Sequence, residues 1–143
     1  MKVFISYRHT GEDLERLREL LGLVRNTFLH LGAEVYCTFF DEKISQFEQR
    51  SACDVMHHAL KMIDRCDVLF AVQTSSEKSE GMLIEVGYCI ARNTPIIVAT
   101  KSGAQETYLP QIGTYAFSWS TLLGLSQGIM YAQSTFRNSR VEK

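Results

Sequence analysis

The sequence predicts an α/β fold of three layers, in which a flavodoxin-like parallel sheet of about five strands carries helices on both faces. Short runs of β-branched and aromatic residues alternate with longer segments whose apolar residues recur at three- and four-residue steps. Residues 68–72 form a continuous apolar run, which is typical of a central parallel strand buried on both faces. Such alternation implies right-handed crossovers, with ligands bound outside the carboxyl ends of the strands.

The individual elements follow from these periodicities and from the residues that end them. The strands are the short apolar runs, predicted at residues 3–5, 33–38, 68–72, 95–99 and 115–119. The helices are the segments with helical apolar spacing, predicted at residues 12–31, 46–64, 81–93 and 122–136. Residues 39–45 connect a strand to a helix, and we interpret Phe39 and Phe40 there as core residues rather than as the lining of a pocket. Residues 101–110 are predicted to be a polar connection.

The length and the charge limit the class of protein. A chain of 143 residues is expected to form one domain over residues 1–136, followed by a polar C-terminal tail over residues 137–143. The net charge of -1 and the pI near 6.4 indicate no basic stripe, so we expect no nucleic-acid polymer as a partner. A small anionic ligand held by a few groups is compatible with this charge.

The cysteines indicate neither a metal site nor a disulfide framework. They are Cys37, Cys53, Cys66 and Cys89. None of them is paired at the short spacing of zinc ligands, so we expect reduced thiols, no metal and no cofactor. The first apolar run is too short for a signal peptide and no run is long enough to span a membrane, which favours a cytoplasmic protein without membrane contact.

Glu85 is a carboxylate with almost entirely apolar neighbours in sequence, which is unusual for a side chain that is seldom buried alone. Gly81 one helical turn before it and Cys89 one turn after it are both small, so they predict an open pocket on that face. If Gly81 opens the helix, Glu85 lies in or near the first turn, where the helix dipole favours the ionised form. That form suits a nucleophile. A structural carboxylate paired with backbone amides or with an arginine is the open alternative.

Two polar loops, residues 6–11 and 74–80, leave the carboxyl ends of predicted strands and should meet Glu85 in one crevice. An ionised carboxylate there suits attack on an anomeric carbon, with retention through a glycosyl-enzyme intermediate. We place Asp67 at the mouth of the central strand as the second carboxylate, which would orient or protonate a departing base. Capping of the preceding helix is an equally weighted alternative for Asp67.

Ser79 precedes the amides that open the predicted helix of Glu85. Together with Gly81 it is placed to bind a phosphate at the helix start, with help from Arg8 and Thr10 of the other loop. An N-cap serine without any ligand is the alternative for Ser79.

Three blocks between Val3 and about Lys101 resemble the nucleoside 2-deoxyribosyltransferase family and its relatives, the nucleoside 5'-monophosphate N-glycosidases. The blocks are the first strand with its loop, the entry to the central strand at residues 66–68, and the pattern Ser79-x-Gly81-x-x-x-Glu85-x-Gly87-Tyr88-x-x-Ala91 followed by Pro95-Ile96-Ile97. The resemblance implies an N-glycosidase that cleaves a (deoxy)nucleoside or its 5'-monophosphate. It also implies a covalent glycosyl intermediate, resolved by water or by a second base.

The resemblance implies roles for particular residues. Glu85 falls on the nucleophile that attacks the sugar C1', and Asp67 falls on an aspartate that contacts the substrate. The remaining substrate-binding positions belong to the two polar loops and are Ser6, Tyr7, Arg8, Thr10, Ser79 and Gly81.

The resemblance also implies a homo-oligomer, a dimer or larger, in which a late segment of one chain completes the site of its neighbour. This segment corresponds to Ser118, Trp119 and Ser120. It lacks the Asn or Asp that the transferases carry there, which favours hydrolysis over base transfer. The first loop retains Gly11 alone of the glycine-rich pattern of the hydrolases, which weakens the assignment of Arg8.

A second family competes for the same blocks. Residues 3–8 with Gly11, Glu12 and Asp13 resemble the opening of a TIR domain, and residues 79–85 can be aligned with the catalytic glutamate block of that family. This resemblance implies an NAD glycohydrolase or an interaction module. The continuation after Glu85 fits the deoxyribosyltransferase group better. A flavodoxin-like electron carrier or a phospho-receiver fits less well, because no paired acids follow the first strand.

Overall fold

A computed structural model of the chain describes residues 1–43, 51–104 and 107–141. The strands within these ranges are β1 (Lys2–Ser6), β2 (Glu34–Tyr36), β3 (Val68–Gln73), β4 (Ile96–Lys101) and β5 (Tyr115–Trp119). The helices are α1 (Leu14–His30), α2 (Ala52–Asp64), α3 (Glu80–Ala91), α4 (Leu109–Ile112) and α5 (Leu122–Val141). A 3₁₀ turn, Thr38–Phe40, follows β2.

The described strands form one parallel sheet in the order β2-β1-β3-β4-β5. Helices α1 and α5 pack on one face of this sheet, and α2 and α3 pack on the other. The three-layer α/β prediction is therefore confirmed, with the strand order of flavodoxin-like sheets. All residues of β3 are buried, which explains its continuous apolar run. The chain changes direction across the sheet at β1, so a crevice opens beside the carboxyl ends of β1 and β3.

Local capping chemistry accounts for both ends of α1, of which the first borders this crevice. The carboxylate of Asp13 accepts hydrogen bonds from the backbone N–H groups of Glu15 and Arg16, at 3.0 Å and 3.1 Å, and so starts α1. Gly32 follows α1 with a φ of +83°, a left-handed conformation that ends the helix with little strain. Helix α1 thereby begins at the carboxyl edge of the sheet.

Several predicted boundaries differ from the structure. Helix α2 begins at Ala52 with Ser51 as its N-cap, and the earlier part of the predicted helix, residues 46–50, lies outside the described residues. The short helix α4 begins at the end of the predicted polar connection, residues 101–110, and continues beyond it to Ile112. Helix α5 continues past Phe136 to Val141, so residues 137–141 are helical rather than part of a tail. Their polar composition indicated a tail, but no Gly or Pro interrupts them.

Candidate active site

A cleft of about 1100 Å³ opens at the carboxyl end of β1. The β1–α1 loop, the 3₁₀ turn after β2, helix α2 and the start of α3 surround it. Predicted site residues that line it together are Tyr7, Thr10, Ser79, Gly81 and Glu85. The two polar loops therefore meet beside Glu85 in one crevice, as the sequence predicted.

Glu85 lies at the inner wall of this cleft and is only 9% exposed. The hydroxyl group of Ser6, the last residue of β1, donates a buried hydrogen bond of 2.7 Å to its Oε1 atom. Within the described ranges no cationic side chain forms an ion pair with Glu85. The two arginines considered as its partners pair elsewhere, Arg8 with Glu12 and Arg92 with Asp64. Glu85 is thus not the arginine-paired structural carboxylate that the sequence left open.

Burial raises the pKa of Glu85 to about 7, while the hydrogen bond from Ser6 acts in the opposite direction. Helix α3 begins at Glu80, one residue before the Gly81 expected to open it, with Ser79 as its N-cap, so Glu85 is its sixth residue. Glu85 therefore lies in the second turn, where the helix dipole is weaker than in the first. Desolvation outweighs the dipole, and both protonation states of Glu85 are populated near neutral pH.

Tyr7 forms a fixed wall of the cleft. Its hydroxyl group lies 3.0 Å from the Thr38 Oγ1 atom, and its ring packs edge-on against Phe39 with 6.1 Å between the centroids. Burial raises the pKa of Tyr7 to about 12, and the nearby charge of Glu85 acts in the same direction. Tyr7 is therefore a neutral phenol beside the carboxylate.

Arg8 does not share this cleft. It lines a separate pocket of about 100 Å³, and its Nη1 atom lies 3.1 Å from the Oε1 atom of Glu12. The hydroxyl group of Thr74 donates a 2.9 Å hydrogen bond to the same oxygen. These contacts tie the β1–α1 loop to the β3–α3 loop. Arg8 and Ser79 line this small pocket together, so the predicted help of Arg8 in binding a phosphate beside Ser79 stays a prediction, although Glu12 already compensates its charge.

Ser79 lines both the cleft and the small pocket. Its hydroxyl oxygen accepts a 3.2 Å hydrogen bond from the backbone N–H of Met82, which is N-cap geometry. The hydroxyl proton is not used by this bond, so Ser79 keeps a donor for a ligand.

Asp67 lies at the opposite edge of the sheet, so its predicted position at the mouth of the site was wrong. Its Oδ2 atom accepts a 2.7 Å hydrogen bond from the backbone N–H of Lys2, and its own N–H donates to the carbonyl oxygen of Lys2 at 2.8 Å. Asp67 precedes β3, and the six residues of this strand, at about 3.3 Å each, span roughly 20 Å to the carboxyl edge. Asp67 therefore holds the starts of β1 and β3 together.

Asp41 and Glu42 also bring carboxylates to the cleft, and neither was singled out from the sequence. The hydroxyl group of Tyr36 donates a 2.7 Å hydrogen bond to the Oδ2 atom of Asp41, and the Nε2 atom of His58 lies 3.5 Å from the same oxygen. Although burial opposes it, the hydrogen bonds from Tyr36 and from the backbone of Lys43 lower the pKa of Asp41. Asp41 follows two aromatic residues directly after a strand, which is the signal that could have identified it.

The aromatic residues before Asp41 have two roles. Phe39 and Phe40 pack against the core on the α1 side and also line the cleft. The interpretation of these rings as core residues alone was therefore incomplete.

The late segment divides into buried and exposed residues. Trp119 is 6% exposed and packs in the core beneath α5, so its ring is not presented to a neighbouring chain as predicted. Ser118 and Ser120 are exposed, and the hydroxyl group of Ser120 donates to that of Ser102 at 3.0 Å. A role of this segment in a neighbour's site stays a prediction for the two serines.

The described residues hold neither a metal-binding cluster nor a membrane-spanning helix. Among residues 1–43, 51–104 and 107–141, no three His, Cys, Asp or Glu side chains are grouped closely enough to hold a metal ion. In the same part of the chain, no helix combines the length and the apolar character needed to cross a lipid bilayer.

The fold and the site define a class of protein, namely doubly wound α/β domains with a buried carboxylate in a cleft at the switch point of the sheet. A sequence model of one family, described as nucleoside 2-deoxyribosyltransferase, matches residues 11–136. The chain therefore belongs to the nucleoside 2-deoxyribosyltransferase family, whose members are glycosyltransferases and N-glycosidases. This match gives no support to the TIR alternative.

Solved structures share the fold at low sequence identity. The CMP N-glycosidase BcmB of Clostridium botulinum superposes with a TM-score of 0.65 and 17% identity, covering 92% of this chain and 99% of that one. A 2-deoxyribosyltransferase of Bacillus psychrosaccharolyticus gives a TM-score of 0.61 and 14% identity, with 88% and 90% covered. A conserved protein of Enterococcus faecalis V583 gives a TM-score of 0.61 and 14% identity, covering 92% of this chain and 98% of that one. No curated protein matches the chain.

Proposed function

We propose that this protein is an N-glycosidase that cleaves the N-glycosidic bond of a nucleoside or nucleotide through a covalent glycosyl intermediate on Glu85. The observation that carries the proposal is the Glu85 carboxylate, buried at the wall of a substrate-sized cleft and held by Ser6. Family membership supports the reaction class.

The proposed chemistry has two steps. An oxygen of the Glu85 carboxylate attacks C1' of the sugar, the bond from C1' to the base nitrogen breaks, and its electron pair leaves with the base, which takes up a proton. A water molecule then attacks C1' and loses a proton, and the carboxylate is released. If a second base attacks instead of water, the product is a new nucleoside.

The test is to incubate the protein with a panel of nucleosides and nucleoside 5'-monophosphates and to measure free base by chromatography. Addition of a second free base separates hydrolysis from transfer, because only transfer forms a new nucleoside. Absence of base release across the whole panel, from protein shown to be folded, would contradict the proposal. Homo-oligomerisation and a cytoplasmic location stay predictions from the sequence.

Ser6→Ala is expected to shift the pH dependence of base release. The hydrogen bond from Ser6 lowers the pKa of Glu85, so its loss raises the already high pKa, and less carboxylate is ionised at pH 7. We expect the acid limb of kcat/KM to move upward by roughly one pH unit, with activity recovering at high pH. Ser6→Thr, which keeps the hydroxyl, is the matched control. An unchanged acid limb in Ser6→Ala would exclude this role.

We propose Asp41, instead of Asp67, as the carboxylate that acts together with Glu85. Its role is to accept a hydrogen bond from an N–H group of the base. Asp41→Ala is expected to lower kcat/KM about tenfold to a hundredfold, as for the loss of a charged hydrogen bond. Asp67→Ala should leave kcat/KM unchanged and should lower the free energy of unfolding by about 1–3 kcal/mol, because it frees a backbone N–H. Steady-state kinetics and urea unfolding of both variants test these expectations. A fall of kcat/KM in Asp67→Ala but not in Asp41→Ala would contradict the assignment.

A further inference from the structure

Two arginines of α1 line the same cleft as Glu85. Arg18 and Arg25 lie two helical turns apart, which places them on one side of the helix. Across the parts of the chain that the structure describes, neither guanidinium forms an ion pair or donates a hydrogen bond. Both guanidinium groups are exposed at this cleft, and within the described residues neither is paired with Asp41, Glu42 or Glu85, the carboxylates that also line it.

Each of these guanidinium groups is held on an aromatic ring. The Cζ atom of Arg18 lies 5.3 Å from the ring centroid of Phe39, and that of Arg25 lies 5.0 Å from the centroid of Phe40. The two rings are themselves in contact, with 5.2 Å between their centroids. Stacking uses the flat face of a guanidinium group and leaves the N–H donors on its edge available. Arg18 and Arg25 thus form a pair of oriented cations on neighbouring rings.

This pair has the chemistry of a phosphate site. Guanidinium edges bind phosphate oxygens in a bidentate manner, and two oriented groups suit two linked phosphates better than one. Arg8, the cation that the sequence placed at the phosphate, is compensated by Glu12 and lines a different pocket. The cleft volume of about 1100 Å³ lies at the upper end of the range for small-molecule sites, so it leaves room beyond a nucleoside.

We propose that Arg18 and Arg25 bind the phosphates of a nucleotide substrate that carries more than one phosphate, a nucleoside 5'-di- or triphosphate. This inference rests on the proposed function, since it names the substrate class of the same site. The phosphate chain lies along α1 at the edges of the two guanidinium groups, while the sugar lies at Glu85.

The first experiment measures binding without turnover. Isothermal titration with inorganic pyrophosphate is compared for the wild type, for the double variant Arg18→Ala/Arg25→Ala and for Arg16→Ala, an exposed arginine of α1 that does not line the cleft. We expect pyrophosphate to bind the wild type and Arg16→Ala equally, and to bind the double variant at least about tenfold more weakly. Equal binding to the wild type and the double variant, or no binding to either, would overturn the inference.

The second experiment compares base release from a nucleoside and from its mono-, di- and triphosphates. The wild type and Arg16→Ala should prefer the diphosphate to the monophosphate by about tenfold in kcat/KM, and the double variant should lose this preference. Base release without such a preference contradicts the subsite and leaves the proposed function standing. Pyrophosphate binding through the arginines, without base release from any substrate, supports the subsite and contradicts the proposed function.

Discussion

Glu85→Gln is expected to lower kcat/KM for base release by at least about a thousandfold, because an amide oxygen does not displace a base from C1'. The substitution keeps the size of the side chain and an oxygen that can accept the hydrogen bond from Ser6, so the fold should be retained. Free base is measured by chromatography under single-turnover conditions. Intact-mass measurement after acid quenching should detect a glycosyl adduct on the wild type and none on the variant.

Glu80→Gln is the matched control for this substitution. Glu80 is exposed in the first turn of the same helix and does not line the cleft, so the change of charge is identical but the chemistry is untouched. We expect kcat/KM of this variant to remain within about twofold of the wild type. Substantial base release by Glu85→Gln, or an adduct on it, would exclude Glu85 as the nucleophile.

Glu85→Gln is also expected to stabilise the protein at alkaline pH. The pKa of Glu85 is about 7 in the folded chain against 4.5 for an unperturbed glutamate, so the folded chain binds the proton more tightly. As the pH rises from 4.5, the unfolded chain ionises first and folding loses free energy. The loss is complete once the folded carboxyl has also ionised, above about pH 7. At 1.36 kcal/mol per pKa unit, the full cost is about 3 kcal/mol.

Gln carries no charge at any pH, so the stability difference between Glu85→Gln and the wild type isolates this effect from other titrating groups. We expect that difference, from urea unfolding, to grow in favour of the variant by about 2 kcal/mol between pH 5 and pH 8. Glu80→Gln serves again as the control and should show a nearly constant difference. A constant difference for Glu85→Gln would mean that the carboxyl is not desolvated.

These two expectations have one cause. The burial that makes ionised Glu85 unfavourable also removes water from the carboxylate that would attack the sugar, so the cost in stability accompanies the proposed reactivity. A protein selected for stability alone would carry an uncharged residue there. The opposite effects of one substitution on activity and stability would therefore indicate a catalytic site rather than a structural ion pair.

The elements that the sequence predicted well are those with a local signal. The apolar run of residues 68–72 predicted the buried central strand, since a strand covered on both faces has no polar side. The isolated carboxylate of Glu85 predicted a pocket, because a buried charge needs a reason that neighbouring apolar residues do not supply. The end of α5 was missed because polar residues continue a helix as readily as they form a tail.

The partners of Glu85 depended on contacts between residues distant in sequence. Ser6 is a polar loop residue in the sequence, and only the packing of α3 against the end of β1 brings its hydroxyl group to the carboxylate. The proposed second carboxylate changes from Asp67 to Asp41 for a related reason. The direction of β3 carries Asp67 to the far edge of the sheet, while the turn after β2 brings Asp41 into the cleft.

The sequence by itself determined the fold class, the central strand and the carboxylate of the site, because periodicity, burial and capping act over a few neighbouring residues. Only the tertiary structure decided which groups surround that carboxylate, which arginines lie on the aromatic rings of the cleft, and how far burial raises the pKa of Glu85. Desolvation and ion pairing depend on distances through space, and the chain path across the sheet sets those distances.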